Sequence, residues 1–549
     1  MGNKQSKIPD KDYVIMEEGE NFILAKKGEE TFLVKKIPQT QSLAISDIEI
    51  LKTTSHPHIV DCKNSFTYEN ENMTYVVMEY CQGGNLAKEI QEMKEPPQES
   101  EILSRMAEIC IALRTVHAKG LLHKDLTPEN IFFTEFGLVR LGGFEAFHQE
   151  GVNTSSANSK QKLNYLAPEV FTVGTYDAKS DIWSVGCILY ELCTKKSLFS
   201  AETAVKLIPK IISGACPTLP EHFSPALCEL LNDVLQKDPE TRPTASEILA
   251  HPIFISCLKE KCKTTVEDLY TKLNNLRTLA DGLENVHEGT TIGSLTGGVI
   301  GAVGGITSIV GLILAPFTLG ASLIVTGVGV GVGVLGGVTA GASNITKMVN
   351  ESSDRKAVHN IIKEFEQKIN AVVIWIREIS DSLQTLSNQF PQASDTDGNF
   401  NTENLTRLGL RAGRGIGGIA ELLRLIQVVN IGKIAAQASR AVRVAEAATG
   451  VLSGLFIAVD IFFIAMDAKE IHNIKQARAA NQGLEESEPP DKLPLQKPEV
   501  KSEIMRFVKS VREAADNLKE VLDELEGMIS SIPSFQAENE QEWQNMELM

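Results

Sequence analysis

Basic residues are scarce in this chain relative to acidic ones. Its 549 residues include 53 Lys and Arg against 71 Asp and Glu, which gives a net charge of −18. Proteins that bind nucleic acid present a basic face to the phosphates, so this balance argues against nucleic acid as a partner. The length exceeds what one hydrophobic core supports, and two to four domains are expected.

The sequence also has no paired cysteine motif. Its nine cysteines all lie in the first half, none in a CxxC pair, which favours buried free thiols in a reducing compartment over disulfides or a metal site. No secretory signal opens the chain. We therefore expect a cytoplasmic, membrane-associated protein, on intracellular membranes or the inner face of the plasma membrane, that is not secreted.

Charge is entirely missing from residues 289–346. A spanning helix needs about 20 apolar residues, and Pro316 with Gly320 favours a turn in the middle of the run. The sequence thus predicts an apolar helical hairpin. Glycines recur every fourth residue on one face of each helix, as in closely packed membrane helices: Gly293, Gly297, Gly301 and Gly305, then Gly329, Gly333, Gly337 and Gly341. A hairpin buried inside a soluble helical bundle is the alternative.

Heptad spacing marks three flanking helices. Apolar residues step 3-4-3-4 through residues 266–283, 358–386 and 504–529, which predicts seams of a helical bundle or coiled coil. We expect these helices to pack against one another within the chain. The alternative is that they mediate self-association of two or more chains.

A second apolar helix is predicted at residues 447–467, where Asp460 interrupts the run. A carboxylate inside a membrane is a candidate proton- or ion-sensing group. The alternative is a packed helix in which Asp460 is satisfied by neighbours or faces solvent.

The first residues, MGNKQSK, fit the N-myristoylation pattern at Gly2. One acyl chain binds membranes only marginally, so a second signal would be needed. An unmodified tail is the alternative.

Residues 13–257 carry the ordered landmarks of a protein kinase: FLVKKI, VVMEYCQGGNL, HKDLTPEN, LAPEV, SDIWSVGCILYEL and DPETRPTASEIL. They resemble eukaryotic serine/threonine kinases, most of all the never-in-mitosis-related branch. The resemblance implies a bilobal α+β fold. It also implies a buried ion pair between Glu169 and Arg242 and an anchoring role for Asp181.

The same resemblance assigns a nucleotide site. Asp125 matches the residue that accepts the substrate's proton, Asn130 a magnesium ligand, and Lys35 the lysine that grips the phosphates. Asp47 stands where a glutamate would pair with Lys35. Gly19 is the surviving glycine of the phosphate loop, with Glu17 and Phe22 near the positions of the flanking ones.

Three further departures affect the metal and the catalytic carboxylate. Gly143 replaces the aspartate that holds magnesium, Thr127 replaces a lysine aimed at the γ-phosphate, and Lys162 replaces a threonine that braces Asp125. Glu145 is an alternative metal ligand. We expect a pseudokinase that docks or regulates protein clients, in which ATP binding is open, magnesium is not expected and no metal site is certain.

The second half resembles the apolipoprotein L family through LRTLADGLENVHEGTTIGS, LILAPFTLGASLIVTGVGVGVG and ATGVLSGLFIAVDIFFIAMDAKEI. The resemblance implies lipid or membrane association, lipid transport, and ion-channel formation in some members. It gives an all-α domain with a glycine-rich hydrophobic helical hairpin.

The predicted organisation is therefore multidomain, with membrane lipids as partners. Two alternatives stay open: an active serine/threonine kinase targeted to membranes, and a regulated ion-pore former. The expected segments are a tail (1–12), the kinase-like domain (13–257), an amphipathic helix (258–288), the hairpin (289–346), an amphipathic helix (347–387), a linker (388–404), a basic and apolar helical region (405–475), a linker (476–500), an amphipathic helix (501–530) and an acidic tail (531–549).

Overall fold

A computed structural model describes residues 13–19, 22–28, 30–38, 45–68, 72–144, 162–214, 218–293, 340–389, 431–482 and 497–532. Most of the predicted hairpin, Gly2 and Glu145 lie outside these residues. The chain divides into two compact units. The first comprises Met1–Lys261, Ile374–Ala435 and Ile532–Met549, and the second comprises Cys262–Val373 and Ala436–Ser531.

The first unit opens with a five-stranded antiparallel sheet in the order β1-β2-β3-β5-β4. Alternating buried and partly exposed residues along β3 give it one core-facing side. Its elements are β1 (Val14–Glu18), β2 (Phe22–Lys27), β3 (Glu30–Pro38), helix α1 (Ile45–Lys52), β4 (Cys62–Tyr68) and β5 (Met73–Glu79).

A helical lobe follows, with a short two-stranded sheet of β6 (Ile131–Phe133) and β7 (Val139–Leu141). Polar caps fix where its helices begin: Asp177 and Ser180 form a capping box for α5, and Ser224 caps α7. The helices are α2 (Leu86–Glu92), α3 (Glu99–Ala118), α4 (Pro168–Thr172), α5 (Ala178–Thr194), α6 (Ala204–Ser213), α7 (Pro225–Val234) and α8 (Ala245–Leu249).

The predicted structural ion pair is present in this lobe. Arg242, fully buried, donates from Nη1 and Nη2 to the two carboxylate oxygens of Glu169 at 2.7 and 2.8 Å. Burial by itself would raise the pKa of Glu169, but the hydrogen bonds from Arg242 and Ser180 outweigh it and hold that pKa below its usual value.

Four long helices complete the chain: α9 (Pro252–Gly293), α10 (Ala340–Gln389), α11 (Ile431–Gln482) and α12 (Lys497–Ser530). The apolar residues at the predicted heptad positions within 266–283, 358–386 and 504–529 are buried. The second unit takes residues from all four helices, whereas Ile374 and the rest of α10 belong to the first.

Cross-helix contacts within the second unit show how its helices pack. Tyr270 Oη of α9 donates to Asp523 Oδ1 of α12 at 2.5 Å. Lys368 Nζ of α10 donates to Asp268 Oδ2 of α9 at 2.7 Å. The rings of Phe462 on α11 and Phe507 on α12 stack with centroids 4.3 Å apart. The seams therefore meet one another within this chain.

Candidate active site

The backbone around Asp125 is fixed by a buried carboxylate. Asp181 accepts the backbone N–H groups of His123 and Lys124, each at 3.0 Å. Lys124 adopts a left-handed conformation with φ 65°, and Asp125 N–H donates to His123 Nδ1 at 3.3 Å. His123 Nε2 therefore carries the proton and donates to Gly142 O at 2.8 Å. This network explains why Asp181 anchors the site from the start of α5.

The Asp125 carboxylate is already engaged by two donors. Lys162 Nζ lies 2.5 Å from Asp125 Oδ2, and Asn130 Nδ2 donates to the same oxygen at 3.0 Å and to Asp125 O at 2.8 Å. Asp125 is buried while the Lys162 side chain is 40% exposed. The oxygen Oδ2 of the carboxylate that the kinase pattern assigns to the substrate's proton is thus occupied by Lys162 and Asn130.

Lys162 contacts Asp125 through its side chain, whereas Thr127 contributes a backbone carbonyl to the neighbouring turn. Thr127 is buried and its carbonyl accepts Asn130 N–H at 3.0 Å, in the turn that leads to Asn130. The ammonium group that the pattern expects at position 127 instead reaches Asp125 from position 162. Sequence reasoning treated these positions as separate losses. Their opposite changes, Lys to Thr and Thr to Lys, were the signal that could have joined them.

Lys35 lies on β3 and pairs with Val76 of β5. Its charge interacts with those of Asp125 and Lys162. Burial lowers the pKa of Lys35 to about 8; Asp125 opposes that shift, and Lys162 adds to it. Two ammonium groups and one carboxylate therefore share this cleft. Asp47, which stands at the position predicted to pair with Lys35, is half-buried in the first turn of α1.

The backbone at Gly143 leaves no room for a side chain. Gly143 has φ +83°, a region that favours glycine, and a Cβ built there would overlap the side chain of Asn130. The neighbouring Phe144 is buried, with its ring 4.6 Å from that of His123. The missing aspartate is thus accompanied by a backbone that does not present a carboxylate to the cleft.

An aromatic ring lies against Gly19, the surviving glycine of the predicted phosphate loop. Gly19 N–H donates to Phe22 O at 2.9 Å, and the Phe22 ring lies against Gly19 where a Cβ would otherwise sit. Lys36 Nζ bonds Glu18 Oε1 at 2.8 Å and Gly19 O at 3.1 Å, so it braces the loop. The ring covers the glycine whose backbone was predicted to approach a phosphate.

A second surface of interest lies on α11. The helix segment Gly432–Ala465 is long and apolar enough to cross a membrane, judged by length and composition only. In its most apolar stretch, 33% of the residues are buried. Ile457, Ile461 and Ile464 are each more than half exposed and recur at helical spacing on one face.

Asp460 on the same helix is satisfied within the second unit. Arg355 of α10 contacts Asp460 Oδ1 from Nε at 3.0 Å and Nη2 at 2.7 Å, and His359 Nε2 lies 3.1 Å from that oxygen. The geometry corresponds to the packed alternative for Asp460.

Comparisons with known proteins find a family match for each half of the chain. Residues 15–254 match the protein kinase domain family, and residues 222–486 match the apolipoprotein L family. Both predicted resemblances and the multidomain fold class are thereby confirmed.

The kinase half has relatives among serine/threonine kinases. It is 39% identical over 207 residues to serine/threonine-protein kinase Nek1 of Mus musculus, covering 37% of this chain and 17% of that protein. It is 35% identical over 246 residues to serine/threonine-protein kinase Nek3 of Mus musculus, with 43% and 48% covered. A probable serine/threonine-protein kinase nek3 of Dictyostelium discoideum is 33% identical over 251 residues, with 43% and 22% covered. The chain thus spans less than half of each relative.

Proposed function

Since the chain carries a protein kinase domain followed by an apolipoprotein L domain, we propose that it is an intracellular, lipid-associated membrane protein whose kinase domain is a pseudokinase. That domain serves as a docking or regulatory module. The observation that carries the proposal is the state of the catalytic centre. Asp125 is bound to Lys162 at 2.5 Å, and the metal position is a glycine in a conformation closed to side chains.

The chemistry of phosphoryl transfer supports this assignment. Transfer depends on positioning and on neutralising the charge of the moving phosphoryl group, which kinases do with magnesium and lysine. Gly143 supplies no carboxylate for the metal. Asn130 directs its amide group to Asp125, and Phe22 covers Gly19.

The same cleft retains positive charge suited to a nucleotide. Lys162 forms an ion pair with Asp125. Lys35 on β3 interacts electrostatically with the same carboxylate. We propose that these two ammonium groups take over the neutralising role of a divalent cation. Lys162 offsets the charge of Asp125, so that an incoming phosphate does not meet a bare carboxylate.

Nucleotide binding by the full chain is therefore expected to be independent of divalent metal. The affinity for ATP should agree within about threefold in magnesium and in EDTA, because lysines supply the charge. Lys162→Thr should weaken binding about tenfold or more, the value of a charge-assisted hydrogen bond. Fluorescence titration or calorimetry measures both effects.

Two variants serve as controls for that measurement. Thr127→Lys combined with Lys162→Thr restores the ammonium group from the other position and should recover most of the affinity. Lys206→Thr removes an exposed lysine paired with Glu202 far outside the cleft residues and should change nothing. Binding that requires magnesium, or that ignores Lys162→Thr, would contradict the metal-free site.

The membrane part of the proposal is supported by α11. Its exposed isoleucines form an apolar stripe, while Lys433, Arg440 and Arg443 are exposed nearer the start of the same helix. A helix with an apolar stripe and basic residues suits the interface of an anionic bilayer.

Replacing Ile457, Ile461 and Ile464 together by serine should weaken binding to liposomes containing phosphatidylserine at least tenfold. Each isoleucine loses the free energy of burying its exposed part in the bilayer, about 1 kcal/mol. Liposome co-sedimentation with the full chain measures the effect. Val173→Ser with Val205→Ser removes exposed apolar residues of the kinase domain and is the matched control. Equal losses in both variants would refute the stripe as the contact surface.

A further inference from the structure

The end of helix α10 packs on the kinase lobe within the first unit. Trp375 is almost completely buried, and its Nε1–H donates to His58 Nε2 at 2.9 Å. Glu378 and Ser382 follow at positions three and seven further on, which places them on the same helix face. Arg114 Nη2 of α3 lies 2.5 Å from Glu378 Oε2, and Ser382 Oγ donates to Leu249 O at 3.2 Å.

His58 has a defined tautomer in this contact. Because Nε2 accepts the indole N–H, the proton resides on Nδ1, which donates to Val139 O at 3.0 Å. Burial lowers the pKa of His58 to about 3, so the ring is neutral at physiological pH. The imidazole therefore bridges Trp375 to the first residue of strand β7.

A lysine side chain also contacts the indole ring of Trp375. Lys261 Nζ lies 4.9 Å from the centre of the Trp375 ring and 3.0 Å from Glu108 Oε1. Glu108 Oε2 in turn accepts the backbone N–H of Val139 at 3.1 Å. Trp375 is thus linked to the carbonyl of Val139 through His58, and to its N–H through Lys261 and Glu108.

The segment that carries His58 is also tied to β7 by its backbone. Leu141 N–H donates to His58 O and Val60 N–H donates to Leu141 O, each at 2.9 Å. Arg140 Nη1 donates to Ile59 O at 3.0 Å. Strand β7 ends at Leu141 and runs directly into Gly142 and Gly143 of the candidate active site. Hydrogen bonds therefore connect the segment around His58 to the strand that leads into the cleft.

We propose that the surface around His58 and Arg114 is a docking groove for an acidic, tryptophan-bearing helix, and that residues 374–387 of α10 are its built-in ligand. Seating of this docking segment fixes residues 55–60, and through β7 it fixes Gly142 and Gly143. Residues 340–373 of the same helix belong to the second unit.

Amide hydrogen exchange of the full chain, followed by mass spectrometry, tests the groove. In Trp375→Ala, peptides covering residues 55–60 and 139–144 should exchange at least tenfold faster than in the wild type. The sheet peptide 22–37 should keep its rate. Trp375→Phe retains a buried ring but leaves His58 Nε2 without its donor, and should give a smaller increase in the same two peptides.

Phe365→Ala is the matched control. Phe365 is a fully buried aromatic residue on the same helix, in the second unit, so its truncation should loosen α10 without accelerating residues 55–60 or 139–144. If those two segments keep the wild-type rate in both Trp375 variants, the lobe holds them unaided and the proposal fails. It also fails if Phe365→Ala accelerates them equally. If Trp375→Ala also accelerates exchange in the sheet peptide, the test depends on Trp375→Phe. The proposal then holds only if that variant accelerates residues 55–60 and 139–144 and leaves the sheet peptide unchanged.

Discussion

Gly143→Asp is expected to leave the full chain without phosphate transfer above the level of Asp125→Asn. The substitution restores the residue type that would bind magnesium but not the geometry. A non-glycine residue at φ +83° costs about 1–3 kcal/mol, and the new Cβ would overlap Asn130. The chain must therefore rearrange around Asn130 before any metal is held. Transfer of labelled phosphate with magnesium or manganese, together with the melting temperature, measures both consequences.

Gly143→Ala separates strain from chemistry in that experiment. It imposes the same backbone penalty and the same overlap without a carboxylate, so its melting temperature should fall by a similar amount. Transfer by Gly143→Asp above that of Gly143→Ala would show that a metal site forms after all. Transfer by the wild-type chain above Asp125→Asn would overturn the pseudokinase proposal and favour the active-kinase alternative.

Arg242→Ala is expected to destabilise the kinase domain by about 3–5 kcal/mol, the usual result of removing one partner of a buried ion pair. Arg242 is 1% exposed and serves both oxygens of Glu169. It also donates to the carbonyls of Gln236, Lys179 and Lys237. Its loss leaves a buried carboxylate and several carbonyls without donors. For a domain of this size the melting temperature should fall by about 10 °C or more.

An exposed ion pair provides the control for this prediction. Lys206 and Glu202 are paired at 2.7 Å with side chains 65% and 83% exposed, and such pairs contribute about 0–1 kcal/mol. Lys206→Ala should accordingly shift the melting transition by no more than about 2–4 °C. Replacing Glu169 and Arg242 together by methionine should recover part of the loss, because no buried charge is then left alone. A single and a double variant of equal stability would argue against the ion-pair explanation.

The positions of the candidate site residues could be predicted because kinase landmarks are local strings of sequence. Asp125, Asn130 and Gly143 lie within or beside such strings, and the structure brings them together. The contact of Lys162 with Asp125 joins residues 37 positions apart and depends on how the segment before α4 returns to the cleft. Sequence spacing carries no information on that path, so the contact between Lys162 and Asp125 was not predicted.

The long helices show the same limit of prediction from sequence. Heptad spacing correctly predicted which residues of α10 are buried, since side chains three and four positions apart share a helix face. It did not reveal that Ile376, Ile379, Leu383 and Leu386 belong to the first unit whereas Phe365 and Ile369 belong to the second. An apolar position is compatible with any apolar partner, so periodicity specifies a face but not what covers it.

From the amino-acid sequence alone we could predict the resemblance to two families, the order of the kinase landmarks, the glycine at the metal position and the buried faces of the long helices. These depend on residue identity and on local periodicity, which the chain carries wherever it folds. Three contacts required the folded structure: Lys162 with Asp125, the Asn130 side chain against Gly143, and Trp375 with His58, which lies 317 positions away. Those outcomes depend on distances between segments, and such distances are set by packing of the whole unit rather than by any single stretch of sequence.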